Sequence, residues 1–277
     1  MHDISNHILR LSSYAPTKRV QFVLQELWPK FNSLLIENAV GKGLSRRNFH
    51  TNSICPIFKQ TNNEYILEMF YGPTDSFKDI YSLLLPYLIS TRSIAVMAAG
   101  GSGAVAAAKG FALRGKAKLI IFYPRDSISE RHYLELATGN SENVITACVN
   151  EKLSDIQSKL DNIAFQNENL TLLHSIALGK TAPLAAIIFS SYCELLIRHE
   201  IDSGEPINIV LNYAHSSLHQ AIDLSIEIGV PIEETAKKTL YLQASRRSIK
   251  EEIEKPIVQD AIVTLSGMES FIKMISC

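Results

Sequence analysis

The chain has 277 residues, of which 46% are hydrophobic and 20% charged, and its formal net charge at pH 7 is -1. This is the composition of an ordinary soluble globular protein, long enough for two lobes that each bury a core. The near-neutral charge gives no basis for a nucleic-acid partner. The longest apolar stretch, residues 182 to 197, contains Ser190, Ser191 and Glu194 and is short for a membrane span. It predicts a buried helix, and we expect no membrane partner.

The cysteines give no sign of a metal site or a disulfide scaffold. They are scattered without CxxC spacing, which argues against a zinc ribbon and favours reduced thiols, at Cys55, Cys148, Cys193 and Cys277. The N-terminus, with Asp3 and His7, shows no apolar core of signal-peptide length. We therefore expect a cytoplasmic protein.

The first 62 residues predict helices joined by polar loops, because apolar residues recur at helical spacing from Val20 to Leu27. An extended apolar run, residues 65 to 67, then leads into the turn Gly72-Pro73. The chain re-enters helix with Thr74, Asp75 or Ser76 as the N-cap. This pattern places Lys78 in the first turn of a helix.

Lys78 is the first candidate for chemistry. The partial positive charge of a helix N-terminus disfavours the ammonium form of a lysine, and burial disfavours it further. A lysine needs its neutral amine to bond covalently to a carbonyl carbon. The alternative is a solvated surface lysine, which is the commonest state of that residue.

The middle of the chain alternates strands and helices, which predicts right-handed βαβ units and a parallel sheet. Pro86 lies inside the helical pattern after Lys78 and predicts a kink or break near Leu85. Residues 92 to 166 form the predicted smaller lobe, and residues 1 to 91 with 167 to 277 form the larger lobe. The predicted elements of the smaller lobe are strands at 93–98, 118–124 and 144–149 and helices at 104–114, 130–138 and 153–165.

A glycine-rich turn joins the first of these strands to a helix of small residues. Its residues are Gly100, Gly101, Ser102 and Gly103. Backbone N–H groups at such a helix N-terminus can receive an anion, but a tight packing turn accounts equally well for the glycines.

A second strand-to-helix junction lies near the C-terminal part of the chain. A buried strand at residues 206 to 211 is followed by a helix that runs to Ile228. Ser216 and Ser217, at the start of this helix, can donate hydroxyl and backbone N–H bonds to a phosphate. His215 and His219 are four residues apart, but no third metal ligand is nearby in sequence, so we predict no metal. Residues 237 to 255 predict a charged, solvated helix.

The sequence Gly-Pro-Thr-x-x-Phe-Lys-Asp at residues 72 to 79 resembles the lysine segment of threonine synthases. These are pyridoxal 5'-phosphate (PLP) enzymes of the tryptophan-synthase-β-like superfamily. Further matches follow at Tyr123-Pro124, at residues 229 to 232 and, more faintly, at residues 262 to 269. The resemblance implies the α/β fold of the type II PLP-dependent enzymes, with two three-layer α/β/α lobes and the cofactor between them.

The resemblance also assigns site residues. Lys78 is the residue that carries PLP covalently, and the Gly100 to Gly103 loop embraces the carboxylate end of the substrate. Lys180 stands where the family has an arginine, and it cannot reproduce the planar bidentate fork of an arginine. The implied cofactor-binding residues are Lys78, Ala214, His215, Ser216 and Ser217, and the implied substrate-binding residues are Gly100, Gly101, Ser102, Gly103, Ser175 and Lys180.

Two functional hypotheses remain open at this point. The first is a PLP-dependent carbon–oxygen lyase of threonine biosynthesis that converts O-phosphohomoserine to threonine, or a related enzyme for another anionic amino acid. The second is a degenerate paralogue that retains the fold as a binding or regulatory protein, because both glycines of the family's phosphate loop are replaced. The first hypothesis implies a small-molecule amino-acid substrate and is compatible with a homodimer.

Overall fold

In the computed structural model of the protein, the residues described are 4–51, 53–114, 117–125, 128–139, 141–173, 178–211, 215–245 and 262–276. The chain divides into two compact units. Unit 1 consists of Met1–Leu84 and Leu178–Arg246, and unit 2 consists of Leu85–Ala177 and Arg247–Cys277.

Both units contain helices and strands. The helices are α1 (Ile8–Ser12), α2 (Pro16–Leu27), α3 (Ser33–Gly43), α4 (Asp79–Ser82), α5 (Leu85–Leu88), α6 (Ser102–Arg114), α7 (Glu130–Ala137), α8 (Leu153–Phe165), α9 (Leu178–Ile197), α10 (Ser216–Glu227) and α11 (Met268–Ser276), preceded by a 3-10 turn at Ser5–His7. The strands are β1 (Ile57–Lys59), β2 (Glu64–Glu68), β3 (Ile94–Ala98), β4 (Lys118–Pro124), β5 (Val144–Val149), β6 (Leu170–Leu172), β7 (Ile207–Leu211), β8 (Lys238–Gln243) and β9 (Ile262–Val263).

Unit 1 is built on a sheet with the order β1-β2-β8-β7 in the described residues. β1 is antiparallel to β2, and the other pairings are parallel, with Tyr65 opposite Leu240 in β8. Arg19 of α2 is only 2% exposed and pairs with Glu194 of α9 at 3.1 Å. Its guanidinium also donates to the carbonyl oxygens of Ser12 and Ser190, so the buried charge is hydrogen-bonded as well as paired.

α9 is the central helix of unit 1, and it contacts α2, α4 and α10. The sequence predicted a buried helix here, and the helix is buried and begins four residues earlier than expected. By length and composition alone Gly179–Ile197 is apolar enough to cross a membrane, but 78% of its most apolar 18-residue stretch is buried inside the protein. That degree of burial is what a core helix shows, because its apolar side chains already have protein neighbours.

Unit 2 is built on a parallel sheet with the order β6-β3-β4-β5-β9 in the described residues. β3 is buried along its whole length, as expected for a parallel strand covered on both faces. Against this sheet pack Ile156 and Leu160 of α8 and Met268 and Ile272 of α11. β5 and α8 have the bounds that the sequence predicted.

The boundaries of the units differ from the predicted lobes. β6 and the C-terminal elements β9 and α11 were placed in the larger lobe, but they belong to unit 2, where β6 pairs with β3 and β9 pairs with β5. The physical reason for the placement of α11 is its apolar face: Met268 and Ile272 join the core cluster of the parallel sheet, and the Phe271 ring lies 5.9 Å from the ring of Phe122.

One predicted helix is wrong. Within residues 237 to 255 the chain forms β8, paired in parallel with β2 and β7, and residues 246 to 255 lie outside the described parts. The charged residues suggested a solvated helix, but Leu240 and Leu242 are fully buried and alternate with half-buried neighbours, which is the period of a strand. The break near Pro86 is confirmed, since α4 ends at Ser82 and Pro86 lies in the first turn of α5, where its missing N–H costs little.

Candidate functional site

The turn that precedes Lys78 is fixed by the side chain of Asp79. Asp79 is 1% exposed, and its carboxylate accepts hydrogen bonds from the backbone N–H and the hydroxyl of Thr74, each at 2.8 Å. A Cβ atom on Gly72 would lie 2.4 Å from Cβ of Asp79. Asp75 has a φ of 51°, a left-handed conformation that aspartate tolerates better than most residues. The motif at 72 to 79 is therefore a locked turn whose residue types are dictated by close packing.

Lys78 lies at the N-cap position of α4, whereas the sequence predicted a place in the first turn. The helix cannot begin earlier because the chain is still held against the segment after β8. Ser76 forms a bridge with Ser245, and the N–H of Phe77 donates to the carbonyl of Ala244 at 2.9 Å. Since α4 is a single turn, a helix dipole contributes little at Lys78. The position of Lys78 is set by the end of β8.

The amine of Lys78 is in an environment that favours its neutral form. The side chain is partly buried, and its Nζ lies 6.0 Å from the centre of the Phe77 ring. Burial lowers the pKa of Lys78 below its ordinary value, and the positive charge of Lys180 lowers it further. Lys180 lies in the first turn of α9, and burial lowers its pKa too.

His215 is the N-cap residue of α10, a role usually taken by Ser, Thr, Asp or Asn. Its Nδ1 accepts from the backbone N–H of Ser217 at 3.4 Å and lies 2.8 Å from the hydroxyl oxygen of Ser217. The imidazole ring meets the Phe77 ring edge to face, with centroids 5.1 Å apart. Burial lowers the pKa of His215, and the charges of Lys78 and Lys180 lower it further.

Several of the predicted site residues therefore lie together in unit 1. The charge of Lys180 lowers the pKa of both Lys78 and His215, and the ring of Phe77 lies beside Lys78 and His215. Ser217 is 7% exposed and Ser216 is exposed, both in the first turn of α10. Ala214 and Ser175 lie outside the described residues. An arrangement of basic groups beside a helix N-terminus is suited to an anion, and a depressed lysine pKa is suited to a carbonyl compound.

The glycine-rich loop belongs to unit 2. α6 begins at Ser102, two residues earlier than predicted, so Ser102 and Gly103 are in its first turn. Gly101 has a φ of +77°, which glycine adopts without strain. Gly100 lies beside the ring of Pro124 at the end of β4. The loop follows the carboxyl end of β3 in a parallel sheet, the usual position of ligands in open α/β sheets.

The sequence analysis missed His132. A Cβ atom on Gly101 would lie 3.6 Å from Nδ1 of His132, so this imidazole borders the glycine loop. Nδ1 of His132 also lies 2.7 Å from the hydroxyl oxygen of Ser129, the N-cap of α7. The signal available in the sequence was the spacing of Ser129 and His132, three residues apart at a helix start, where the N-cap oxygen meets the third helical residue.

Metal binding was considered for His215 and His219. Across the described ranges, no group of three His, Cys, Asp or Glu side chains is arranged to hold a metal ion.

Comparisons with known proteins identify relatives and a solved structure of similar fold. No family model matches the chain. Threonine synthase-like 1 of Pongo abelii is 24% identical over 221 residues, 72% of this chain and 29% of that protein. Threonine synthase of Buchnera aphidicola subsp. Baizongia pistaciae is 32% identical over 133 residues, 45% of this chain and 30% of that protein. The crystal structure of PLP-bound threonine synthase from Brucella melitensis matches with a TM-score of 0.66 at 20% identity, covering 86% of this chain and 52% of that chain.

The chain is similar to threonine synthases and to threonine synthase-like proteins, at low sequence identity. Its fold is the α/β fold of the type II PLP-dependent enzymes, which confirms the predicted fold class. The chain spans about three tenths of the length of the curated relatives it matches. The lysine motif that carries the resemblance lies in unit 1, at residues 72 to 79.

Proposed function

We propose that the chain is a PLP-dependent, threonine-synthase-like lyase that acts on an anionic amino acid. The observation that carries the proposal is the placement of Lys78: partly buried, with a lowered pKa, beside Lys180 and His215, at the end of a turn locked by Asp79. Lysines with depressed pKa values and a specific charged neighbour cluster at functional sites.

The residues present suit PLP by the chemistry of their donor groups. The neutral amine of Lys78 would bond to the aldehyde carbon of the cofactor with loss of water. The exposed Ser216 in the first turn of α10 is available to the phosphate, whereas the N–H and the hydroxyl of Ser217 already face Nδ1 of His215, whose imidazole borders the same turn. When bound, PLP supplies an electron sink for carbanion chemistry.

Proton transfer and attraction of the substrate are assigned to side chains of the protein. Nζ of Lys78 accepts a proton from the α-carbon of the substrate and returns it later, which requires an amine that is neutral near physiological pH. Lys180 attracts the negative charge of the substrate as a point charge. Considered by itself, unit 2 carries the Gly100 to Gly103 loop, and N–H groups in the first turn of α6 are suited to a carboxylate.

The proposed substrate is a phosphorylated amino acid such as O-phosphohomoserine. Elimination of its phosphate followed by addition of water gives threonine. The basic groups around Phe77 support an anionic substrate, since attraction in a partly buried site exceeds attraction in open water. A homodimer and a cytoplasmic location remain predictions.

The first test is an absorption spectrum of the purified protein incubated with PLP. After borohydride reduction, peptide mapping locates the cofactor. We expect an absorption band distinct from that of free PLP and a reduced adduct on Lys78, both lost in Lys78→Ala. Lys42→Ala is the matched control, because Lys42 is an exposed lysine of α3 in the same unit.

Phosphate release from O-phosphohomoserine is the second measurement. We expect release by the PLP-loaded protein and by Lys42→Ala but not by Lys78→Ala. No band and no adduct on Lys78 at saturating PLP would overturn the proposal.

The second candidate is a binding or regulatory protein that retains the fold without the reaction. The observation that favours it is His215, whose Nδ1 accepts from the N–H of Ser217, a group that a phosphate would need. This hypothesis predicts a protein that binds PLP or a phosphorylated amino acid without releasing phosphate. Binding with no turnover, in a protein whose Lys78 reacts with PLP, would select it over the enzyme.

A further inference from the structure

Unit 1 contains a pocket that the proposed function does not use. Its empty volume is about 320 Å³, at the lower end of the range for small-molecule sites, and it is partly open to solvent. One wall is a face of the second half of α9, and the other is formed by Pro16 at the start of α2 and by the segment at residues 53 to 57 that leads into β1. Among the described residues that line the pocket, none is a candidate PLP-binding or substrate-binding residue.

Much of the lining is apolar. Ile54, Ile57 and Ile187 are each at most 6% exposed, and they come from both walls. The hydroxyl of Ser191 donates to the carbonyl oxygen of Ile187 at 2.8 Å, so this donor is used within the helix. Branched aliphatic side chains favour a ligand with an apolar body, because binding removes apolar surface from water.

The polar part of the pocket has a surplus of positive charge. Glu194 pairs with two arginines, since its Oε2 lies 3.1 Å from Nη1 of Arg19 and its Oε1 lies 3.1 Å from Nε of Arg198. Arg19 is only 2% exposed and requires this carboxylate, because an unpaired buried charge is strongly destabilising. Two guanidinium groups therefore share one carboxylate, and Arg198, which lines the pocket with its side chain 42% exposed, can pair with a further anion.

The guanidinium group of Arg198 is already oriented by the protein. Its Nε donates to Glu194, and its Nη1 donates to the carbonyl oxygen of Ile57 at 2.9 Å. Two bonds from different nitrogens fix the plane of the group, so its donors do not have to be ordered by the ligand. A planar arginine held in this way is suited to the two oxygens of a carboxylate.

We propose that this pocket binds a small aliphatic monocarboxylate, with the carboxylate on Arg198 and a branched hydrocarbon body against Ile54, Ile57 and Ile187. The volume limits the ligand to on the order of ten non-hydrogen atoms, since a water molecule occupies about 30 Å³ in the liquid. A ligand ammonium group is disfavoured, because Arg19 and Arg198 already surround the carboxylate of Glu194. The site goes beyond the proposed function and does not depend on PLP.

The test is a saturation-transfer NMR titration of the full chain, with PLP present, using 3-methylbutanoate as the probe. We expect saturable binding with a Kd on the order of 1 mM, which is usual for a ligand this small. Two isosteric probes examine the charge. We expect at least tenfold weaker binding of 3-methylbutanamide, which lacks the negative charge, and of valine, which adds an ammonium group to the same carbon skeleton.

Two variants locate the binding. Arg198→Gln removes the cation, and Ser53→Leu fills the pocket from a partly exposed position, so it remains informative if Arg198→Gln does not fold. Both should weaken binding of 3-methylbutanoate at least tenfold. Arg131→Gln is the matched control, because Arg131 forms the same kind of i,i+4 pair with Glu135, at 2.9 Å, in unit 2. Circular dichroism verifies that each variant is folded.

The inference is overturned if 3-methylbutanoate gives no saturable signal at millimolar concentrations, or if the amide or valine binds as tightly as the carboxylate. Displacement of 3-methylbutanoate by equal concentrations of inorganic phosphate, at constant ionic strength, would indicate a simple anion site and would also overturn it. Wild-type affinity in folded Arg198→Gln or in Ser53→Leu would place the ligand outside this pocket. Carboxylate binding by a protein whose Lys78 never reacts with PLP would support this inference and overturn only the proposed function.

Discussion

The carboxylate of Asp79 occupies the space into which a side chain on Gly72 would project, with Oδ2 2.5 Å from the position of the missing Cβ. The same oxygen accepts the backbone N–H of Thr74. One buried carboxyl group thus explains why glycine, threonine and aspartate occur together around Lys78. The residue types of the lysine motif are therefore explained by packing around Asp79, independently of any chemistry at Lys78.

Gly72→Ala should therefore destabilise unit 1 strongly. The new methyl group would lie 2.4 Å from Cβ of Asp79, so the turn or the carboxyl group must shift. We expect a loss of about 2–3 kcal/mol in the free energy of unfolding, in the range of overpacked cores. Urea titration followed by circular dichroism measures it.

Gly41→Ala is the control for this experiment. Gly41 lies in the helix α3 with open space around its Cβ position, so alanine should be neutral or stabilising there. Equal urea midpoints for Gly72→Ala and wild type would show that the turn is not locked as described.

Asp79 should make stability depend on pH. Burial raises the pKa of its carboxyl group from 3.8 to about 6. The hydrogen bonds from Thr74 lower this pKa, but burial has the larger effect. The folded state then binds a proton more tightly than the unfolded state, so the free energy of unfolding falls as pH rises from about 4 to about 6. The loss is on the order of 1–3 kcal/mol. Urea midpoints at closely spaced pH values measure it.

Asp79→Asn is the matched variant, because asparagine can accept the N–H of Thr74 and donate to its hydroxyl. This part of the pH dependence should disappear in the variant. If its stability profile has the same slope between pH 4 and 6 as that of wild type, the assignment to Asp79 is wrong.

His215 should contribute a pH dependence of opposite sign. Burial and the two lysines lower the pKa of its imidazole below the ordinary 6.5, so the unfolded state binds more protons in that range. Stability therefore falls as pH drops below about 6.5, whereas the contribution of Asp79 changes in the other direction. The two effects overlap, and single variants are needed to separate them.

His215→Asn is the informative change, since asparagine is a preferred N-cap and has no titration in this range. We expect a protein of equal or greater stability whose loss below pH 6.5 is reduced. His219→Asn, at an exposed position of the same helix, is the control. Identical acid profiles for His215→Asn and wild type would show that protonation of His215 does not oppose folding.

The sequence predicted the alternating elements of unit 2 well because their patterns are local. The bounds of β5 and α8 follow from runs of apolar residues that no distant contact overrides. β8 was mistaken for a helix because its pairing with β2 and β7 is non-local. The placement of β9 likewise depends on a partner strand more than 100 residues away in sequence.

The sequence identified residues of the candidate site, but it did not predict their positions. Lys78 could be named from its motif, but its N-cap position is set by the bridge between Ser76 and Ser245. The capping role of His215 could not be read from the sequence, since histidine is an unusual N-cap. Its contact with Phe77 depends on the packing of α9 with α10 and α4.

Lys180 provides the last prediction, a gain of stability on removal of its charge. The side chain is partly buried in the first turn of a 20-residue helix, and both burial and the helix N-terminus disfavour a cation there. Lys180→Gln should raise the free energy of unfolding by about 0.5–1 kcal/mol, since the helix-terminus effect alone is of that size. Urea titration at pH 7 measures the change, and Lys42→Gln, at an exposed position in the last turn of α3, should show no gain. A less stable Lys180→Gln protein would contradict this prediction. It would mean that the ammonium group of Lys180 stabilises the fold rather than reducing its stability.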